Sequence, residues 1–185
     1  MPSVPHPIPY QGSKRLLATR ILQYLPKSVD TLYEPFAGSA ALTLAAADAC
    51  LASRFYIADS LAPLVEIWAL VLANPERLAD GYERLWHDQQ GDPRAFYNLT
   101  RDAYNESGGP ARLLYLLARC VKNAVRFSRS GRFNQSPDNR RLGRTPERMR
   151  GHIHRAHESL RGRTFATAGD YAEAIETATP RDVVY

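Results

Sequence analysis

Cysteine and methionine are scarce in this chain: its 185 residues include two of each. Cys50 and Cys120 lie far apart inside apolar helical patterns, which excludes a disulfide framework and reads as two buried free thiols in a reducing compartment. Long apolar runs are missing as well. Nothing approaches the roughly 20 consecutive apolar residues that span a bilayer, and the opening stretch MPSVPHPIPY has no basic segment followed by an apolar one. Neither membrane insertion nor secretion is expected, and the expected compartment is the cytoplasm. Internal repeats and low-complexity tracts are also absent. What remains is an ordinary globular composition, 44% hydrophobic and 23% charged with 13 Pro and 11 Gly, at a length that suits one domain.

Acidic groups are nearly missing from one segment. Residues 112–163 hold 14 of the 24 Lys and Arg but only 3 of the 19 Asp and Glu, so they carry +11 while the rest of the chain carries −6. Thirteen of those 14 are Arg, whose planar fork matches phosphate and guanine edges, and a polyanionic partner is the leading explanation. The alternative is a solvated basic helix surface.

The order of elements points to an open α/β sheet. Ser13 can cap a helix that runs to Leu25, with Leu16, Leu17, Ile21 and Leu25 on one face and Pro26 as its stop. TLYEPF (31–36) reads as a strand, followed by the small-residue turn Ala37-Gly38-Ser39-Ala40 and an Ala/Leu-rich helix to about Leu51. A second strand, RFYIA, ends at Asp59. Helices are expected near 61–73, after Pro75, after Pro93, and from Pro110 to about Phe127. Strand, turn, helix, strand and a further helix open a parallel sheet. Within SRSGRFNQS (128–136), Ser130-Gly131 between short β-capable arms reads as a hairpin turn, and a helix over about 146–160 comes next. TFATAG is a candidate strand, Asp170 can cap the helix YAEAIETA, and Arg181 to Tyr185 has a buried-strand pattern.

Two short segments have the makings of a nucleoside-binding edge. In EPFAGSAAL (34–42), a strand ending in a small-residue turn lets the backbone approach a ligand and aims amide N–H groups at it. Asp59, at the tip of the second strand, can accept both hydroxyls of a ribose. One glycine is not the full dinucleotide fingerprint, and plain packing accounts for the turn equally well. PYQGSKR (9–15) joins an aromatic, a Gly turn and a Lys, either as a bare arm leading into a helix or as part of the same site. His152, His154 and His157 have no matching Cys or carboxylate ligand nearby in sequence, so solvated or phosphate-facing histidines are expected rather than a metal site. Trp68 and Trp86 read as packing, and no nucleophile elbow is present.

Taken in order, PYQGSK, YEPFAGSAAL, IADSLAPLVEIW, AFYNLTRDAYN and LARCVKNAVRFSRSGRFNQS resemble the DNA N6-adenine methyltransferases of the Dam-like group. Tyr171 to Tyr185 also looks like that family's helix and strand before its active site. The resemblance implies a Rossmann-like, S-adenosylmethionine-dependent methyltransferase sheet with an inserted helical and β-hairpin DNA-recognition region. It divides the chain into a cofactor-binding part (1–74), a target-recognition region (75–165) and a return to the sheet (166–185). Tyr10, where the family usually has Trp, and Lys14 are implied to bind S-adenosylmethionine. Phe36 and Gly38 fall in the cofactor loop, Asp59 matches the ribose-binding acid, and Ala40 stands where many members have Gly. The hairpin, here Arg129 to Asn134, is implied to enter the groove of double-stranded DNA. Arg126, Arg129 and Arg132 suit guanine or phosphate, while Asn123, Asn134 and Gln135 have the paired donor and acceptor that adenine edges require. Phe127 and Phe133 could wedge beside an extruded nucleotide or pack within the hairpin.

The family's catalytic Asp-Pro-Pro-Tyr is implied directly after a strand like RDVVY, yet the sequence contains no Pro-Pro pair. No catalytic residue is therefore expected within the chain, and the sheet is expected to be incomplete. Three readings follow: a truncated product, one half of a split enzyme whose second polypeptide supplies the motif, or a non-catalytic DNA-binding module. The first two leave a site-specific adenine N6-methyltransferase that is inactive as an isolated chain.

Overall fold

Four parallel strands make the frame: β1 (Val29–Glu34), β2 (Ala52–Asp59), β3 (Thr164–Ala168) and β4 (Val183–Val184), in the order β3-β2-β1-β4. The architecture comes from a computed structural model that describes residues 4–185, so the first three residues of the N-terminal stretch lie outside the described residues. Leu32 pairs with Phe55, and Phe55 with Thr164; one residue along, Tyr33 pairs with Tyr56, and Tyr56 with Phe165. Strand side chains alternate between faces. Leu32, Phe55 and Ile57 are accordingly buried on one face, while Tyr33, Tyr56 and Phe165 share the other, where Phe165 is exposed. This is the parallel α/β sheet that the order of elements predicts.

Eight α-helices accompany the strands among the described residues: α1 (Ala18–Leu22), α2 (Ala41–Asp48), α3 (Ala62–Ala73), α4 (Pro75–Asp88), α5 (Pro93–Ser107), α6 (Pro110–Arg119), α7 (Pro146–Leu160) and α8 (Tyr171–Ile175). From α3 to α7 each opens with a proline in its first turn, where the missing N–H costs no hydrogen bond. Asn74 caps α4, Asp92 caps α5, and Asp170 caps α8, each accepting a first-turn amide. A continuous core runs from the sheet through the helices, with Leu32, Phe55, Trp68, Leu78, Leu116 and Ile153 all buried in it. α7 packs on α2, α3 and α4, so the segment that returns to β3 is seated on the sheet's own helices. No helix among the described residues is long and apolar enough to cross a membrane.

Four local expectations need correction, and one is the buried strand over Arg181 to Tyr185: β4 is only Val183–Val184, and Val184 and Tyr185 are exposed. The first helix covers only Ala18–Leu22, and Leu16 and Leu17 are exposed rather than buried, because Tyr10 to Leu17 is taken up by successive turns that close on Tyr10 and Lys14 carbonyls. α6 stops at Arg119 instead of Phe127: Cys120 is extended, and Lys122 and Asn123 adopt left-handed φ values of 59° and 52°. Cys120 is buried as expected, but Cys50 is exposed. Cys50 is the left-handed residue just past α2, with φ 53°, and the Leu51 N–H then closes back on the Ala46 carbonyl. That capping geometry turns the thiol outward.

Candidate functional site

β1 and β2 end side by side, and the turn after β1 is stitched to the tip of β2. Ala37 N–H donates to the Ala58 carbonyl at 2.8 Å. Gly38 N–H donates to Asp59 Oδ2 and Leu61 N–H to Asp59 Oδ1, both at 2.9 Å. From below, the buried Trp68 indole N–H donates to the Gly38 carbonyl at 3.0 Å, so Trp68 positions the turn as well as packing. Gly38 sits at φ 50°, and a Cβ there would lie 3.2 Å from the Tyr10 ring. Only glycine both tolerates that backbone and leaves room for the aromatic.

The structure brings Tyr10, Gly38 and Asp59 together at the C-terminal edge of the sheet. Burial, then the Asp59 charge, pushes the Tyr10 phenol above its ordinary value, so it stays neutral. Lys14 stays exposed on the same arm, its Nζ donating to the Gly12 carbonyl at 2.9 Å. Phe36 is 73% exposed and its ring meets that of Tyr171 at a centroid distance of 5.4 Å. Tyr171 is a site neighbour that sequence spacing does not reveal, since 135 positions separate it from Phe36 and only the return of the chain to the sheet joins them.

Within the turn the Ala37, Gly38 and Ala40 amides are engaged inside the fold. Glu34, buried at the end of β1, accepts the Thr43 N–H at 2.9 Å and so closes the amide end of α2 from inside. Burial raises the Glu34 pKa, and hydrogen bonds from Thr43 and Leu42 oppose that rise. With the Gly38 amide held by Asp59 and the Thr43 amide by the buried Glu34, the edge presents the Asp59 carboxylate and aromatic faces beside a partly closed start of α2. Such an edge disfavours a phosphate and tolerates a cation.

Within the basic segment, residues 120–145 form a long antiparallel loop between α6 and α7. Its base is closed by Asp138 N–H to the Arg119 carbonyl at 2.8 Å and Val121 N–H to the Ser136 carbonyl at 3.0 Å. Its tip turns at Arg129-Ser130-Gly131, with Gly131 at φ 73° and Ser128 N–H donating to the Arg132 carbonyl at 2.8 Å. The hairpin turn expected at Ser130-Gly131 is present. Between tip and base, Phe127 bridges to Phe133, and Phe133 is buried against Tyr104. Packing within the hairpin, not a wedge, is the role of Phe133.

Asn105 fastens this loop to α5. Its Oδ1 accepts the Phe133 N–H at 2.7 Å and its Nδ2 donates to the Phe133 carbonyl at 3.0 Å. Tyr97 O–H adds a bond to the Gln135 carbonyl at 3.0 Å. In sequence the stripe Tyr97, Thr100, Tyr104 marks a buried face of α5, but nothing there names its partner. Outside the packed face, Arg126, Arg129, Arg132 and Asn134 are exposed at the tip. Asn123 differs: its Nδ2 donates to the Leu117 carbonyl at 2.7 Å, capping the end of α6.

Many arginines of the +11 segment are structural. Arg119 is buried and donates to the carbonyls of Pro93, Asp138 and Arg141. Arg150 meets Glu76, Asp80 and Glu83 on α4, and Arg140 and Arg141 both pair with Asp138. Arg163 caps α7 through the Ser159 carbonyl and lies over Phe55. The histidines are likewise bound within the fold rather than solvated. His152 Nδ1 accepts the His6 N–H at 3.2 Å, His154 meets Glu76 at 3.1 Å, and His157 lies 2.9 Å from the Val71 carbonyl.

The model of a protein family described as D12 class N6 adenine-specific DNA methyltransferase matches residues 10–185 of the chain. No curated protein matches it.

Proposed function

The chain belongs to the D12 class N6 adenine-specific DNA methyltransferases, and from that premise we propose that it holds S-adenosylmethionine at the C-terminal edge of its sheet and a duplex DNA target on the loop between α6 and α7. The observation that carries the choice of cofactor is the use of the turn's own amides. With Glu34 closing α2 and Asp59 holding Gly38, the edge suits a sulfonium-bearing nucleoside better than a dinucleotide pyrophosphate.

Asp59 accepts the ribose hydroxyls through the lone pairs its two amide bonds leave free. Tyr10 presents a neutral π-face to a cation, and Lys14 is the exposed ammonium available to the cofactor's carboxylate. Phe36 and Tyr171 supply two exposed rings on which an adenine can stack. Bound there, the cofactor supplies an electrophilic methyl group for the adenine N6 amine.

Residues 75–165 serve as the recognition region. Arg126, Arg129 and Arg132 contact guanine edges or phosphates, and Asn134 an adenine edge. Asn123 holds the loop's root through Leu117 while its carbonyl faces the N-terminal arm. Among residues 1–185 there is no Pro-Pro pair, so the roles assigned to them are binding and positioning.

Calorimetry with S-adenosylmethionine, paired with a salt titration of duplex binding, tests this reading. Binding of both ligands supports it. Salt-dependent duplex binding with no cofactor binding would leave a DNA-binding module.

A further inference from the structure

Three arginines that pair with no acid stand near one another where the N-terminal arm meets the start of α7. Arg15 lies on the N-terminal arm, Arg144 in the loop before α7, and Arg148 in the first turn of α7. Among the described residues none of the three forms an ion pair with a carboxylate, whereas Arg140, Arg141 and Arg150 do. Arg144 is the most constrained. Its Nη1 donates to the His6 carbonyl at 2.5 Å, and its own carbonyl accepts the Tyr82 O–H at 2.6 Å. Burial, together with the charges of Arg15 and Arg148, lowers the Arg144 pKa. Like charges gathered at a half-buried position without an acid destabilise the free protein, and an anion offsets that cost.

The space for one exists. Pro9, Asn123, Arg141, Gly143, Arg144 and Arg148 line a cavity of about 290 Å³ between the arm and the root of the recognition loop. Arg141 also lines a second depression of about 410 Å³ with Lys122, Asp138 and Arg140, so the basic surface continues along the loop's base. The arm forms one wall: Pro9 precedes Tyr10, and Gln11 N–H donates to the Asn123 carbonyl at 2.9 Å. This wall stands well away from the hairpin tip at Arg129 to Gly131 in the loop's course.

We propose that this cavity takes a backbone phosphodiester of duplex DNA, gripped by Arg144 and Arg148 with Arg15 beside them. The proposal rests on the DNA reading above and adds a backbone anchor that the hairpin does not provide. Among the described residues the side chains of Arg148 and Arg15 make no hydrogen bond or ion pair, the Arg15 backbone N–H alone meeting Ser13 Oγ at 3.4 Å, so both guanidinium groups are free for a ligand. The anchor touches the arm that carries Tyr10, so a bound phosphate orders the same segment that packs over Gly38.

The test uses Arg148→Ala and Arg15→Ala in the full chain, with affinity for two duplexes of unrelated sequence measured across a salt series. Each variant is expected to weaken both duplexes equally and to make the slope of log affinity against log salt shallower by about 0.9, the value for one phosphate contact on B-DNA. The gap from wild type then narrows about 3.5-fold between about 50 and about 200 mM salt. Arg148→Lys, which keeps the charge, is expected to recover most of the slope. Wild-type affinity and slope in both alanine variants would overturn the proposal, and so would a loss confined to one of the two sequences. A wild-type chain that binds neither duplex would overturn the DNA reading itself.

Discussion

Asp59 accepts the backbone N–H of Gly38 at 2.9 Å across a separation of 21 residues. This bond joins the tip of β2 to the turn after β1 and turns two sequence motifs into one edge. It also occupies an amide that could otherwise meet a phosphate, leaving an acid and a ring at the edge of the sheet. Tyr10 completes the arrangement by packing over the same glycine.

Gly38→Ala tests that packing. The substitution places a methyl group 3.2 Å from the Tyr10 ring at a φ of 50°, and a non-glycine residue in that region costs on the order of 1–3 kcal/mol. Thermal or denaturant unfolding should report the loss, and cofactor affinity should fall by about tenfold or more. Adding Tyr10→Ala removes the steric part, so the double variant is expected to be less destabilised than the sum of the singles. Strict additivity would show that ring and glycine do not act on each other.

Asn105 is the lever on the loop between α6 and α7. Asn105→Ala leaves the Phe133 N–H and carbonyl without their partners, which costs about 1–3 kcal/mol when such groups stay buried. We expect a drop in unfolding midpoint and a larger loss of duplex affinity than of S-adenosylmethionine affinity. Equal losses of both ligands would mean that the clamp merely supports the whole domain.

Acid should loosen the N-terminal arm. His6 and His152 are each lowered from 6.5 to about 4, first by burial and then by neighbouring arginines, Arg144 chief among them and Arg15 acting on both; Arg155 adds to the effect on His152. The folded state therefore resists protons that the unfolded chain accepts. Stability is fully present above about 6.5 and falls as pH drops from about 6.5 toward about 4. Protonation of His152 Nδ1 also removes the acceptor of the His6 N–H. An unfolding midpoint followed across this window should decline in the wild type and decline less in His6→Asn/His152→Gln. Parallel curves for the two proteins would rule out the histidine pair as the cause.

What sequence reveals here follows the range of the interaction. Helices α3 to α7 are legible because each begins with a local signal, a proline behind a turn residue. The end of α6 is not, because the left-handed Lys122 and Asn123 are held by distant bonds, Val121 to Ser136 and Gln11 to Asn123. Leu16 and Leu17 carry a helical periodicity that the turns of the arm override. The candidate site divides in the same way. Gly38 and Asp59 stand out by position after their strands, whereas Trp68, Asn105 and Tyr171 act through contacts that exist only once the sheet is assembled. Charge counting finds the arginine-rich segment but cannot separate the buried Arg119 from the free Arg148.

The most direct test of the account is a double dissociation measured by equilibrium binding of both ligands to the same proteins. Asp59→Ala is expected to lose S-adenosylmethionine affinity while holding duplex affinity within about twofold, and the triple variant Arg126→Ala, Arg129→Ala, Arg132→Ala is expected to do the reverse. A wild-type chain that does not bind S-adenosylmethionine, or two variants that each lose both ligands together, would contradict it.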